Sequence, residues 1–249
     1  MRRVLLEVIA TSADDCALIE ELGGDRIELT CSLALGGLTP SPGLLAESRR
    51  ATRLPIMAMA RPREAGFCYS RRELAAMLHD VEFLLAHGAD GVVFGVLTTD
   101  GEIDVAACKE VVALAARKQT VFHRAFDAIP NPLTGLEQLI DLGVTRVLTS
   151  GQAANALAGA RLIAHLAEQA RNRMEILPGG GVTSANVAEL LAATACTQVH
   201  VSLSEMAGDL STLGRSQIGY LGAIPPEGHY RRASRSALET MTRRLKAVS

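Results

Sequence analysis

Three stretches of this 249-residue chain make the same join: ELGGDRIEL at 21–29, AHGADGVVF at 86–94 and DLGVTRVLT at 141–149. Each leaves a helix-like segment at a glycine and enters a short β-branched run a few residues later. Gly23, Gly88 and Gly143 suit the left-handed position that ends a helix without a Cβ clash. The apolar runs that follow suit parallel strands covered by helices. Extended along the chain, the rhythm predicts strands near 4–9, 25–29, 55–60, 91–95, 120–124, 145–149, 174–178 and 198–202. Helices are predicted near 12–22, 43–51, 70–87, 104–117, 133–142, 153–171, 183–194 and 235–247. Ser12, Ser70, Asp104 and Thr183 supply side-chain oxygens for helix N-caps. Repeated βα units demand a parallel sheet. About eight of them point to an α/β fold, a single (β/α)8 TIM barrel spanning 1–249, which suits a fold of roughly 250 residues. The least regular stretch, 205–232, reads as a final loop or lid.

Composition serves mainly to exclude. A formal net charge of −2, scattered Arg pairs at 2–3, 49–50, 71–72 and 231–232, and only three Tyr and five Phe argue against a nucleic-acid surface. Hydrophobic residues make up 48% of the chain, enough for a sizeable core rather than a disordered state. The five cysteines (16, 31, 68, 108 and 196) are odd in number and form no CxxC. They fit free thiols in a reducing cytoplasm better than a disulfide framework. The start MRRVLLEVIATSA imitates a signal peptide, but Glu7 breaks its apolar run and Asp14-Asp15 follow. No segment approaches the ~18 apolar residues of a membrane span. A cytoplasmic protein is expected, without nucleic-acid or membrane partners.

Alternation within strands sends side chains to opposite faces. In DRIEL, Ile27 and Leu29 suit the helix layer, which turns Arg26 and Glu28 into the barrel. In QVHVS the same reasoning turns Gln198, His200 and Ser202 inward. Glu7 shares the first strand's inward face, Arg61 continues the Met57–Met59 face, and His123 lies opposite Phe122. Buried charge is costly unless paired, so these groups form either a structural ion-pair network or a site, and several sit at the strand ends where barrels build sites. FHRAFD at 122–127 is the densest cluster. His123 is a candidate general acid or base, Arg124 a clamp for an anion, and Asp127 an orienting group for either. Arg61 and Arg63, flanking Pro62, read as a bidentate anion pair or as loop anchors. PGGGV at 178–182 brings Gly179, Gly180 and Gly181 to a strand end just before a predicted helix start, an arrangement suited to cradling an anion. The catalytic candidates are therefore Glu7, Glu28, His123 and Asp127. The anion-binding candidates are Arg26, Arg61, Arg124, Ser150, the three glycines, His200 and Ser202.

Six segments, IELTCSLALGGLTPS (27–41), MARPREAGFCYS (59–70), GVVFGVLTTDG (91–101), FHRAFD (122–127), RVLTSG (146–151) and PGGGV (178–182), together resemble the CutC family of copper homeostasis proteins. The likeness runs from Glu7 to about Ser202 in matching order and spacing. It implies a TIM barrel, a cytoplasmic setting, homo-oligomers and a role in copper homeostasis or copper binding. Family members proposed to bind copper carry one cysteine near the end of the first strand and another directly after the IEL of the second. Ile9 and Thr30 occupy those positions here, with Cys31 one residue further on. Copper(I) prefers soft sulfur ligands, and a one-residue shift turns a strand side chain to the other face. Cys31 is the metal-ligand candidate, with Cys68, Met57 and Met59 as possible companions.

Two functions follow from the residues and the resemblance. One is copper handling through Cys31. The other is an enzyme acting on a small anionic metabolite, phosphorylated or not, by isomerisation, aldol-type cleavage or hydrolysis in a Glu/His/Arg pocket. The lack of a lysine near any predicted strand end disfavours Schiff-base chemistry. A scaffold without chemistry fits less well, because idle buried charge costs stability.

Overall fold

The structure, a computed structural model, describes residues 3–211 and 228–248. Eight parallel strands form its centre: β1 (Leu5–Ala10), β2 (Arg26–Leu29), β3 (Ile56–Met59), β4 (Gly91–Phe94), β5 (Gln119–Phe122), β6 (Arg146–Thr149), β7 (Glu175–Pro178) and β8 (Gln198–Val201). Their spatial order is β7-β6-β5-β4-β3-β2-β1-β8. At the seam, β7 and β8 meet through a parallel bridge from Gly179 to His200. The Gln198 amide adds a 3.4 Å bond to the Ile176 carbonyl. The result is a nearly closed barrel, as the strand–helix rhythm predicts.

Between and around the strands lie α1 (Ala13–Glu21), α2 (Pro42–Ala51), α3 (Arg71–Ala86), α4 (Val105–Ala115), α5 (Pro132–Asp141), α6 (Ala160–Ala170), α7 (Val187–Thr194) and α8 (Arg235–Val248). Ser12 and Asp104 accept from the third helical N–H of α1 and α4, and Ser70 forms a full capping box with Glu73. Gly88 closes α3 at φ +114°, a conformation that favours glycine. The strands separate two apolar layers. Ile27, Leu29 and Phe122 pack outward under the helices, whereas Met57, Met59, Val93, Val121, Leu148 and Leu177 fill the barrel interior. Fully burying one such large side chain contributes about 1.5–3 kcal/mol.

Three expectations need correction. Thr183 is not an N-cap: its N–H is taken by Asn186 Oδ1, and α7 starts only at Val187. The PGGGV turn therefore does not feed straight into a helix N-terminus. Helix α6 begins at Ala160 rather than near 153. Turns occupy the preceding residues, and Gly159 packs so closely that a Cβ there would lie 2.0 Å from the Ser150 carbonyl oxygen. Finally, the ends of the 205–232 stretch are regular. Strands β9 (Ser204–Gly208) and β10 (His229–Ala233) pair antiparallel, and Asp15 pins the ribbon by accepting the Ala233 N–H at 2.8 Å. The expected lid at 212–227 lies outside the described residues. Among the described residues, no helix is long and apolar enough to cross a membrane.

Candidate functional site

Below the strand-end face runs a chain of polar groups, buried at Glu7, Arg26, Gln198 and Arg146 and reaching the surface at Glu175. Arg26 Nε donates to Glu7, and Arg26 Nη2 donates to Gln198 Oε1 at 2.8 Å. Gln198 Nε2 reaches Glu175 at 3.2 Å, Arg146 Nε donates to Glu175 at 2.6 Å, and Arg146 Nη2 donates to Gln119 at 2.9 Å. Arg26 is thus a structural ion, paired beneath the pocket, rather than an anion-binding residue. Arg146, Glu175 and Gln119 were not anticipated. The signal was nonetheless present, because Arg146 in TRVLT holds the same place after its glycine turn as Arg26 in DRIEL.

Above this layer opens a pocket of about 550 Å³ at the C-terminal strand ends. Such a volume suits a small metabolite. Its lining includes Ile9, Glu28, Met59, Arg61, Phe67, His123, Arg124, Gly180, Gly181, His200 and Ser202. One wall carries an acid–imidazole cluster. Glu7 Oε1 accepts from His200 Nδ1 at 2.8 Å, and His200 Nε2 lies 3.9 Å from Glu28 Oε1. Glu28 Oε2 is buried without a hydrogen-bond partner among the described residues. Ligand-capable atoms of Glu7, Glu28 and His200 all lie within 4.8 Å of one another. Burial works against charge on Glu7, but the His200 hydrogen bond and the Arg26, His200 and Arg146 charges outweigh it and hold the carboxyl at about 2. For Glu28, burial and the neighbouring Glu7 charge overcome His200 and Arg26 and lift it to about 7. Burial also opposes charge on His200, yet the two carboxylates raise it above its ordinary value.

Another part of the rim is cationic. Arg61 donates to the carbonyls of Leu35, Gly37 and Ala65, and its guanidinium lies 5.3 Å from the Phe67 ring centre. His123 is the other partner of that ring, 4.8 Å between centroids. Its Nδ1 accepts the Ala125 N–H at 3.1 Å, which puts the proton of the neutral ring on Nε2. Burial and then Arg61 push the imidazole down to about 3. His123 is therefore neutral at physiological pH, a hydrogen-bond donor rather than a proton-transfer group. Between about pH 6.5 and 3 the unfolded chain binds the proton that folded His123 refuses, so this residue makes stability fall on acidification. The expected outcome is that His123→Gln flattens the loss of stability between pH 6.5 and 4, read by urea unfolding at each pH. An unchanged slope would contradict the assignment.

Other candidates stand behind the pocket. Asp127 does not meet His123. Its carboxylate accepts from Arg124 Nε at 2.8 Å, from the Ser150 N–H at 3.0 Å and from the Thr149 hydroxyl. Ser150 is fully buried and accepts from Arg124 Nη2 at 2.9 Å, so it holds Arg124 rather than a ligand. Gly179 is a packing glycine: a Cβ there would meet Leu148 at 2.5 Å. Arg63 turns to Glu73 and to loop carbonyls, the anchoring alternative. Cys31 donates its Sγ–H to the Thr39 carbonyl at 3.1 Å and stands outside the acid–imidazole cluster. Met57 is buried in the barrel interior, while Met59 lines the pocket. Burial pushes the Cys16 and Cys108 thiols up to about 11 and about 12, leaving them unreactive.

Comparison with known proteins adds a family to this geometry. The model of the CutC family matches residues 4–205, a span that includes all eight barrel strands. A protein of Treponema denticola named as family protein CutC is 44% identical over 249 residues, the whole of both chains. The human copper homeostasis protein cutC homolog is 42% identical over 198 residues, 80% of this chain and 72% of the human one. The crystal structure described as a copper homeostasis protein CutC from Streptococcus agalactiae superimposes with a TM-score of 0.75 at 33% identity. It covers 79% of this chain and 97% of that one.

Proposed function

The chain belongs to the CutC family, and from that premise we propose that it serves copper homeostasis by holding copper as Cu(II) on Glu28 and His200. The observation that carries the reading is the buried Glu28 Oε2, unpartnered among the described residues, beside an imidazole whose Nε2 is left free by the Glu7 bond. A histidine that donates its other ring N–H to a carboxylate is the usual form of an oriented metal ligand. Glu7 would orient the ring, and Glu28 and His200 Nε2 would bind the ion. Carboxylate and imidazole suit Cu(II), which tops the affinity order of divalent first-row metals at such sites, whereas Cu(I) prefers sulfur. The names of the relatives favour copper as the cargo.

Titration of the purified protein with Cu(II) against a competing chelator tests the proposal. Glu28→Gln and His200→Gln are each expected to weaken binding at least ~10-fold, the scale seen when metal-site groups are removed. Cys31→Ser should leave it unchanged. Equal affinity in wild type and Glu28→Gln, or a loss confined to Cys31→Ser, would sink the ligand set. A second reading, an enzyme acting on a small anionic metabolite, is favoured by the pocket's volume of about 550 Å³, far more than an ion needs. In that reading Glu28 and His200 move a proton.

A further inference from the structure

We propose that the cationic part of the pocket rim is a receptor for the oxyanion of a small organic molecule, a phosphate monoester or a carboxylate. Arg61 carries the inference. It is 5% exposed, and among the described residues its hydrogen bonds to Leu35, Gly37 and Ala65 all end on neutral carbonyl oxygens, so no carboxylate among them offsets its charge. A buried cation without a counter-charge is costly, and an anion in the adjoining pocket removes that cost. Arg61 Nε is also a buried donor without a partner among the described residues, and so is His123 Nε2. Both are N–H groups, both residues line the pocket, and Phe67 packs against both. Unmade hydrogen bonds of buried donors are costly, and an oxyanion is the ligand that satisfies them together.

Arg124 completes the wall. Asp127 and Ser150 hold its Nε and Nη2, which fixes the guanidinium beside Gly180. A Cβ on Gly180 would lie 3.3 Å from Arg124 Cζ and Nη1, and the residue sits at φ +95°, so glycine keeps this approach open. The ligand's anionic end belongs on Arg61, His123 and Arg124, and its remainder points across the pocket toward Glu28 and His200. The inference goes beyond the copper reading, because the two walls are made of different side chains. It names the ligand class for the enzymatic reading of the same pocket.

Thermal unfolding and calorimetric titration with inorganic phosphate and, separately, with lactate at constant ionic strength test it, with chloride as control. Wild type is expected to bind at least one of the two saturably, and which one binds separates the phosphate from the carboxylate source. Arg61→Gln and Arg124→Gln should each raise the Kd at least ~10-fold, while Cu(II) titration of Arg124→Gln stays as in wild type. Arg124→Gln keeps the test decisive if Arg61→Gln unfolds with its loop carbonyls unbound. No saturable binding of either anion above the chloride control, or equal binding in wild type and Arg124→Gln, overturns the inference. Anion binding without Cu(II) binding would defeat the copper reading alone.

Discussion

Arg26→Ala is expected to destabilise the protein by roughly 3–5 kcal/mol, the range for removing one partner of a buried ion pair. Glu7 is 1% exposed and would keep its carboxylate with the guanidinium gone, while Gln198 would lose its 2.8 Å donor. The alternative of a pocket-facing, anion-binding Arg26 predicts a much smaller change, because an exposed cation is solvated without help. Urea unfolding decides between them, read from the midpoint at constant slope. The double variant Arg26→Met with Glu7→Gln should recover part of the loss, since removing both charges avoids an uncompensated one. A change under about 1 kcal/mol in Arg26→Ala would contradict the structural assignment.

Asp127→Ala is expected to cost roughly 2–4 kcal/mol, because hydrogen bonds to a charged group contribute about 1.5–3 kcal/mol and several end on this one carboxylate. The Thr149 hydroxyl and the Ser150 N–H, both in fully buried residues, would lose their acceptor. Arg124 would lose its Nε anchor as well. Asp127→Asn, which keeps one carbonyl-type acceptor, should fall between Ala and wild type. Thermal unfolding checks the order. A wild-type melting temperature in Asp127→Ala would mean that the loop after β6 is held by something else.

The sequence made the barrel legible because the cues that mark its strands repeat. Helix-ending glycines, short apolar strands and capping Ser or Asp residues agree with one another, so local and global preferences point the same way. Facing was legible too: alternation in DRIEL and QVHVS put Arg26, Glu28, Gln198 and His200 inside, where the structure has them. Depth was not legible. Alternation fixes the face of a side chain but not its height along the barrel. Arg26 fell into the pairing layer while Glu28, two residues and about 6.6 Å further along the same strand, lines the pocket. Loops carried the weakest signals. FHRAFD looks like one cluster in the sequence, yet its short helical turn sends Asp127 to the β6 loop and leaves His123 on the pocket wall. Cys31, the metal-ligand candidate, pairs with Leu38 across a loop and bonds to Thr39 there, which places it apart from the acid–imidazole cluster.

The most direct test of a barrel mouth that holds copper on carboxylate and imidazole is the electron paramagnetic resonance spectrum of the Cu(II)-loaded protein. The wild-type spectrum should show hyperfine structure from a single coordinated imidazole nitrogen, lost in His200→Gln and retained in Cys31→Ser. A spectrum unchanged by His200→Gln, or one altered by Cys31→Ser, would contradict the account.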